Sequence, residues 1–171
     1  MGQRRRGRAS AGSPSHQRPR RSRCRSPRPQ IPKTRGNIDH LVIAPSGIWI
    51  VDAKNYTGKV KLHDRGGWFS SDLRLHVNIR DQSKLVDGLS WQIDAVRTVL
   101  SPIGFGEAPL HPALCFISSD LGLFAKPFTL KGVLVTWGAQ LVDTIREPGP
   151  FDVATIDRLA RELSSKLPAS R

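Results

Sequence analysis

Between Met1 and Ile38 this 171-residue sequence has no aspartate or glutamate. No carboxylate ligand or general base can come from that stretch. Cysteine is nearly absent too: Cys24 and Cys115 have neither metal-ligand spacing nor the numbers for a disulfide framework, and Cys115, inside an apolar run, reads as a small core residue. No apolar run approaches the length of a membrane-spanning helix, and the basic start is not followed by the apolar stretch of a signal peptide. The expectation is a soluble cytoplasmic protein that makes no use of a membrane. No repeat and no internal linker divides the chain, so one domain is expected. Aromatic residues are few, and Trp49 and Trp91 sit in apolar patterns that fit core packing rather than a base-stacking platform.

Positive charge is plentiful, and its placement matters. The net charge is +13, but 12 of the 27 Lys and Arg residues fall within residues 1–35, leaving 15 basic against 14 acidic residues afterwards. Residues 1–32 are Arg, Ser, Pro and Gly with almost nothing apolar to bury, which predicts a disordered basic tail ahead of a domain over 33–171. An Arg-rich arm binds phosphate backbones without sequence preference and loses that binding as salt rises. A solubilising tail and a gene-start or reading-frame artefact are the alternative readings.

Within the domain, two apolar runs flank Pro45-Ser46-Gly47 and predict a pair of strands buried on both faces and central in a sheet. Gly58–Leu62 reads as a third extended segment, and Trp68-Phe69 as cover for an edge of the core. Leu73, Leu75, Val77 and Ile79 alternate as a half-buried strand. From Ser83 the period changes: Leu85, Leu89, Ile93, Val96 and Leu100 make one helical stripe, capped by Asp81 or Ser83 and ended by Ser101-Pro102. Ala113–Ile117 and Val133–Val135 predict buried strands of the same sheet. A last helix is expected with Asp152 as N-cap and Ile156, Leu159, Ala160, Leu163 and Leu167 on its apolar stripe. The fold class predicted is α/β, a mixed central sheet flanked by helices.

The two strands around Pro45-Ser46-Gly47 carry the residues of most chemical interest. If they pair as a hairpin, Asp39 and Asp52 converge at one end, with Lys54 two residues beyond Asp52 on the same sheet face. Two carboxylates suit a hard divalent cation, and an ammonium beside them suits a phosphate or an attacking water. For Asp39 the alternative is a strand-end carboxylate bonded to backbone N–H groups; for Asp52, a salt bridge with Lys54; for Lys54, an exposed strand-end lysine. His40 points to the opposite face and reads as a buried, hydrogen-bonded histidine. His63-Asp64 and His111 read as loop residues. Asn55, Tyr56 and Lys59 read as backbone-contacting residues or as turn residues before Gly58.

Asp39 together with Asp52-Ala53-Lys54 resembles the signature of the PD-(D/E)xK nuclease superfamily, and the continuous string from Ile38 to Val60 resembles its nuclease-related domain, NERD, most closely over residues 36–60. A looser likeness continues through Asp81–Gly88 and Gln92. The resemblance implies a restriction-endonuclease-like core and Mg²⁺-dependent, or Mn²⁺-dependent, hydrolysis of nucleic acid, DNA before RNA. It implies Asp39, Asp52 and the Ala53 carbonyl as metal ligands, and Lys54 as the group that orients or helps deprotonate the water. Gln92 is implied near metal or substrate, with an exposed helix glutamine as the alternative. The family's further upstream acid, usually Glu, and the helix and strand before the first carboxylate have no counterpart here. A catalytically inactive nucleic-acid-binding module and a truncated fragment are therefore the alternatives to an active nuclease.

Overall fold

The computed structural model describes residues 38–67, 70–120 and 126–167. The tail expected over 1–32 and the Trp68-Phe69 pair lie outside these residues. Strand β1 (His40–Ala44) turns through Pro45-Ser46 into β2 (Gly47–Lys54), and the two pair antiparallel with His40 opposite Val51. Gly47 has a φ of +143°, and a Cβ there would lie 2.9 Å from the Pro109 carbonyl oxygen, so this position needs glycine. Strands β3 (Gly58–Asp64), β4 (Leu73–Val77) and β5 (Arg80–Asp81) follow as an antiparallel meander. Helices α1 (Ser83–Asp87) and α2 (Ser90–Leu100) lead to β6 (Leu110–Phe116) and the short β7 (Ser119–Asp120). Strands β8 (Phe128–Leu130) and β9 (Val133–Trp137), then helices α3 (Gly138–Ile145) and α4 (Val153–Lys166), complete the chain.

The strands form a five-stranded mixed sheet, in the order β1-β2-β6-β9-β8, and a four-stranded sheet, in the order β5-β4-β3-β7. Strands β2, β6 and β9 run parallel, and α1 and α2 lie in the crossover from β2 to β6; β1 and β8 are antiparallel additions at the two ends. One face of the larger sheet holds the main core: Ile48, Ile50, Leu114, Phe116 and Val135 pack with Val86, Leu89, Val96 and Leu100 of the α1–α2 segment and Leu159 and Leu163 of α4. Val60, Leu75 and Val77 bring the inner face of the second sheet into the same core. The other face is smaller, with Trp49, Val51, Ala113 and Cys115 under Leu141 of α3.

The α/β class with a mixed sheet flanked by helices holds, and several local expectations need correction. Strand β1 is terminal among the described strands and half-buried, because α4 covers one of its faces while its far edge meets no other described strand. The third and fourth strands belong to a separate sheet. Ile79 falls in the β4–β5 turn beside Asn78, whose φ is +57°, and is 92% exposed. The helix expected without interruption from Ser83 to Leu100 breaks at Gly88-Leu89, a kink that still lets both Val86 and Leu89 reach the core. Ile117 lies just past β6 and is exposed, and Ala160 sits beside rather than on the buried Leu159–Leu163–Leu167 stripe. Asp152 Oδ1 accepts from the Thr155 N–H at 2.8 Å, as the capping pattern predicts, whereas the N-cap of α1 is Gln82 and Asp81, one residue earlier, accepts from the Ser83 N–H at 2.8 Å.

Candidate functional site

Alternation along β2 sets the site. Ile48, Ile50, Asp52 and Lys54 share the face that carries the main core, so the strand passes from hydrocarbon to charge within two residues. The β1–β2 register ends with His40 opposite Val51, and Asp39 and Asp52 are the next residue on each side of that pair. The Asp39 carboxyl lies within hydrogen-bonding reach of Asp52. Lys54 Nζ is 2.6 Å from Asp52 Oδ1. The structure thus brings Asp39, Asp52 and Lys54 together at the open end of the hairpin.

Asp52 is 9% exposed. Burial pushes its carboxyl above the ordinary carboxylate range; the Lys54 ammonium pulls it down, and the neighbouring Asp39 carboxyl pushes it up again. The ammonium contacts Oδ1 as an ion pair without meeting hydrogen-bond geometry, so this buried oxygen makes no well-directed hydrogen bond. A buried, imperfectly satisfied carboxylate oxygen beside a second carboxylate is the donor chemistry that a hard cation relieves.

Backbone direction adds a third oxygen. The Lys54 carbonyl accepts from the Ile117 N–H at 3.0 Å and the Ile48 N–H donates to Pro109 at 2.9 Å, so even-numbered residues of β2 direct their backbone groups to the β6 side. The Ala53 carbonyl points the other way, toward the flank where β1 has already ended at His40. Among the described residues no group of three or more His, Cys, Asp or Glu side chains gathers as a metal cluster.

Gln92 is not the exposed helix glutamine of the alternative reading. It lies in α2, which packs on the same sheet face as Asp52 and Lys54; it is 6% exposed, and its Oε1 has no partner. His40, expected buried, is exposed, at the end of β1. His111, expected in a loop, lies in β6, where it stacks on Trp49 at 4.6 Å between ring centroids and its Nε2 lies 3.1 Å from the Ser46 carbonyl. His63 and Asp64 close β3, and Asp64 accepts from the Gly66 and Asp72 N–H groups and the Ser71 hydroxyl, which holds its carboxyl below the ordinary range. Tyr56 packs partly buried near Phe116, their rings 6.2 Å apart.

Sequence reading missed what fixes the chain just after Lys54. The Ser119 hydroxyl donates to the Tyr56 carbonyl at 2.6 Å, and Ile117 holds the Lys54 carbonyl. Both contacts join segments about sixty residues apart, and nothing local in the sequence signals them.

A family model described as nuclease-related domain, NERD, matches residues 23–117, more than half of the chain. That span contains Asp39, Asp52, Lys54 and Gln92 and ends one residue past β6. Comparison with curated proteins and with solved structures gives no match.

Proposed function

Starting from the premise that the chain belongs to the nuclease-related domain (NERD) family, we propose that it is a Mg²⁺-dependent nuclease hydrolysing phosphodiester bonds of DNA. The observation that carries this reading is the convergence of Asp39, Asp52 and Lys54 at the open end of the β1–β2 hairpin.

The residues present fit a hard cation. Asp39, Asp52 and the Ala53 carbonyl would hold Mg²⁺, or Mn²⁺, a set that suits an ion which keeps several waters and binds through one or two carboxylates. When bound, the ion supplies Lewis-acid polarisation of a phosphoryl oxygen and lowers the pKa of coordinated water. Asp52, held in a largely apolar wall, offers its oxygens in a fixed direction. Lys54 orients the attacking water and stabilises charge that develops on the phosphorus-bound oxygens. Gln92 projects from α2 on the same face and offers an amide to water or substrate.

The test is cleavage of plasmid and single-stranded DNA by the purified chain with Mg²⁺ or Mn²⁺. Asp52→Ala is expected to reduce cleavage to background, and Lys54→Ala to lower it by about 10²–10³-fold, the range for loss of one preorganised electrostatic group. Cleavage unaffected by either substitution would sink the reading.

One observation favours a second reading, a noncatalytic nucleic-acid-binding module. No third acidic side chain joins Asp39 and Asp52 among the described residues, and 12 Lys and Arg residues fall within residues 1–35. A folded wild-type chain that binds DNA in a salt-sensitive way without cutting it would select this alternative.

A further inference from the structure

Two histidines stand side by side on the outer face of the second sheet. The β3–β4 register sets His63 opposite Arg74 and His76 opposite Lys61, so the imidazoles are diagonal neighbours across the ladder. They share the outer face because Val60, Leu75 and Val77, which alternate with them, are buried on the inner one. Their ring centroids lie 5.2 Å apart, with the planes inclined by 34°. His63 is exposed, whereas His76 is half-buried and its Nε2 is enclosed without a hydrogen-bond partner.

An enclosed ring nitrogen without a partner destabilises a neutral imidazole in either tautomer, as a lost donor or a lost acceptor. Ring stacking would account for the separation of the two histidines and would leave that nitrogen unsatisfied. A shared cation accounts for both. With Zn–N bonds of about 2.0–2.1 Å, two imidazoles at tetrahedral angles on one ion stand about 5 Å apart, centre to centre. The surrounding charges permit a cation. Arg74 is matched by two carboxylates, its Nε 2.7 Å from Asp72 Oδ1 and its Nη1 3.9 Å from Asp81 Oδ2, and Asp81 stands opposite His76 across β4–β5. Lys61 is exposed and can carry its ammonium into water.

The pair also occupies a mechanically weak place. Along the inner face of the β3–β4 ladder the packing thins toward one end: Val60 and Val77 are each 5% exposed, whereas Leu62 is 38% and Leu73 37% exposed. His63 lies at the thin end, next to Leu62. We propose that His63 and His76 form a binding site for a divalent cation that prefers imidazole, Zn²⁺ above all and Cu²⁺ or Ni²⁺ by the same chemistry, and that the ion clips β3 to β4. No third His, Cys, Asp or Glu side chain gathers with them among the described residues, so water completes the coordination shell and the ion exchanges with solution. The site is separate from the oxygens of Asp39 and Asp52, whose chemistry suits Mg²⁺.

The test is calorimetric titration of the full chain with Zn²⁺, in excess Mg²⁺ and with Asp52→Asn as the parent, so that the carboxylate pair does not report. His63→Ala and His76→Ala are compared with His16→Ala, which removes an imidazole from the N-terminal stretch. Either ladder substitution is expected to weaken Zn²⁺ binding by about tenfold or more, and His16→Ala to leave it unchanged. Saturating Zn²⁺ should raise the melting temperature of the parent and not that of His63→Ala. With Cu²⁺, electron paramagnetic resonance should show coupling to two ring nitrogens in the parent and to one in His63→Ala, a signature that a purely structural role for the histidine would not produce. Should His76→Ala fail to fold, the exposed His63 decides the matter alone. Absence of Zn²⁺ binding, equal affinity in the parent and folded His63→Ala, or binding lost in His16→Ala would each overturn the site.

Discussion

The carboxyls of Asp39 and Asp52 lie within hydrogen-bonding reach where the β1–β2 hairpin opens, one residue beyond the pair His40 and Val51. Their closeness, together with burial of Asp52, has a thermodynamic cost in the metal-free protein, and Lys54 only partly offsets it.

The pH dependence follows from the sign of that shift. The folded-state pKa of Asp52 is raised, so over a window starting at the ordinary carboxylate value the native protein keeps a proton that the unfolded chain has released. The contribution of Asp52 to stability falls as pH rises through that window. Asp64, Asp81 and Asp152 are shifted down and act oppositely, their contributions being lost as pH falls. Comparison of wild type with Asp52→Asn isolates the Asp52 share. In EDTA at neutral pH the Asn variant is expected to melt higher, by about 2–4 °C for each kcal/mol recovered, with the difference shrinking toward pH 4. A variant that melts lower at neutral pH would show that the Lys54 ion pair outweighs the burial.

Divalent metal should reverse that order. Mg²⁺ or Mn²⁺ at about 100 times its dissociation constant stabilises a protein that binds it only when folded by about 2.7 kcal/mol. A melting temperature that rises with metal in wild type but not in Asp52→Asn or Asp39→Asn is the expected result, read by calorimetry. Equal shifts in all three proteins would place the metal elsewhere.

Gly58 and Asn78 form a clamp that starts the second sheet. Gly58 has a φ of +119°, and a Cβ there would lie 2.1 Å from Asn78 Nδ2. Asn78, at φ +57°, accepts from the Lys59 N–H through Oδ1 at 2.9 Å and donates its own N–H to the Lys59 carbonyl at 2.7 Å. Gly58→Ala combines a strained backbone with a collision and is expected to destabilise the domain by about 2–4 kcal/mol, measured by urea unfolding. Asn78→Gly keeps the turn geometry and loses only the side-chain bonds, so about 1 kcal/mol is expected.

Ser46 closes a second clamp. Its hydroxyl donates to the Ile145 carbonyl and accepts from Trp49 Nε1, each at 2.9 Å, and its carbonyl lies 3.1 Å from His111 Nε2. Ser46→Ala should cost about 1–3 kcal/mol, because the indole N–H loses its partner in a nearly enclosed place. Tryptophan fluorescence of the folded variant should report the change.

The legible parts of this fold were those with local signatures. Asp39, Asp52 and Lys54 could be placed on one face because a two-residue turn and strand alternation leave little freedom in the register. Asp152 could be placed as an N-cap for a similar reason, since its bond to Thr155 spans three residues. Strands β5, β7 and β8, of two or three residues each, are too short to show a period, and α3 starts after Trp137 without a side-chain cap. The split into two sheets and the burial of Gln92 depend on contacts between distant segments. So does the opposition of Lys61 to His76, which appears only once β3 and β4 are aligned.

Pro45 and Ser46 also bear on what counts as a self-sufficient piece of this polypeptide. The Phe151 N–H donates to the Pro45 carbonyl at 3.1 Å, the Ser46 hydroxyl reaches Ile145, and β1 packs under α4. The stretch that matches the family stops at residue 117, yet its central strand β6 takes its next neighbour from β9, and its two faces are closed by α3 and α4. A polypeptide cut at 117 would retain every residue proposed for catalysis and lose α3 over Cys115 and the α4 share of the cover over Leu114 and Phe116. The stretch that matches the family is thus smaller than the packed unit, which draws β9, α3 and α4 from the residues beyond it.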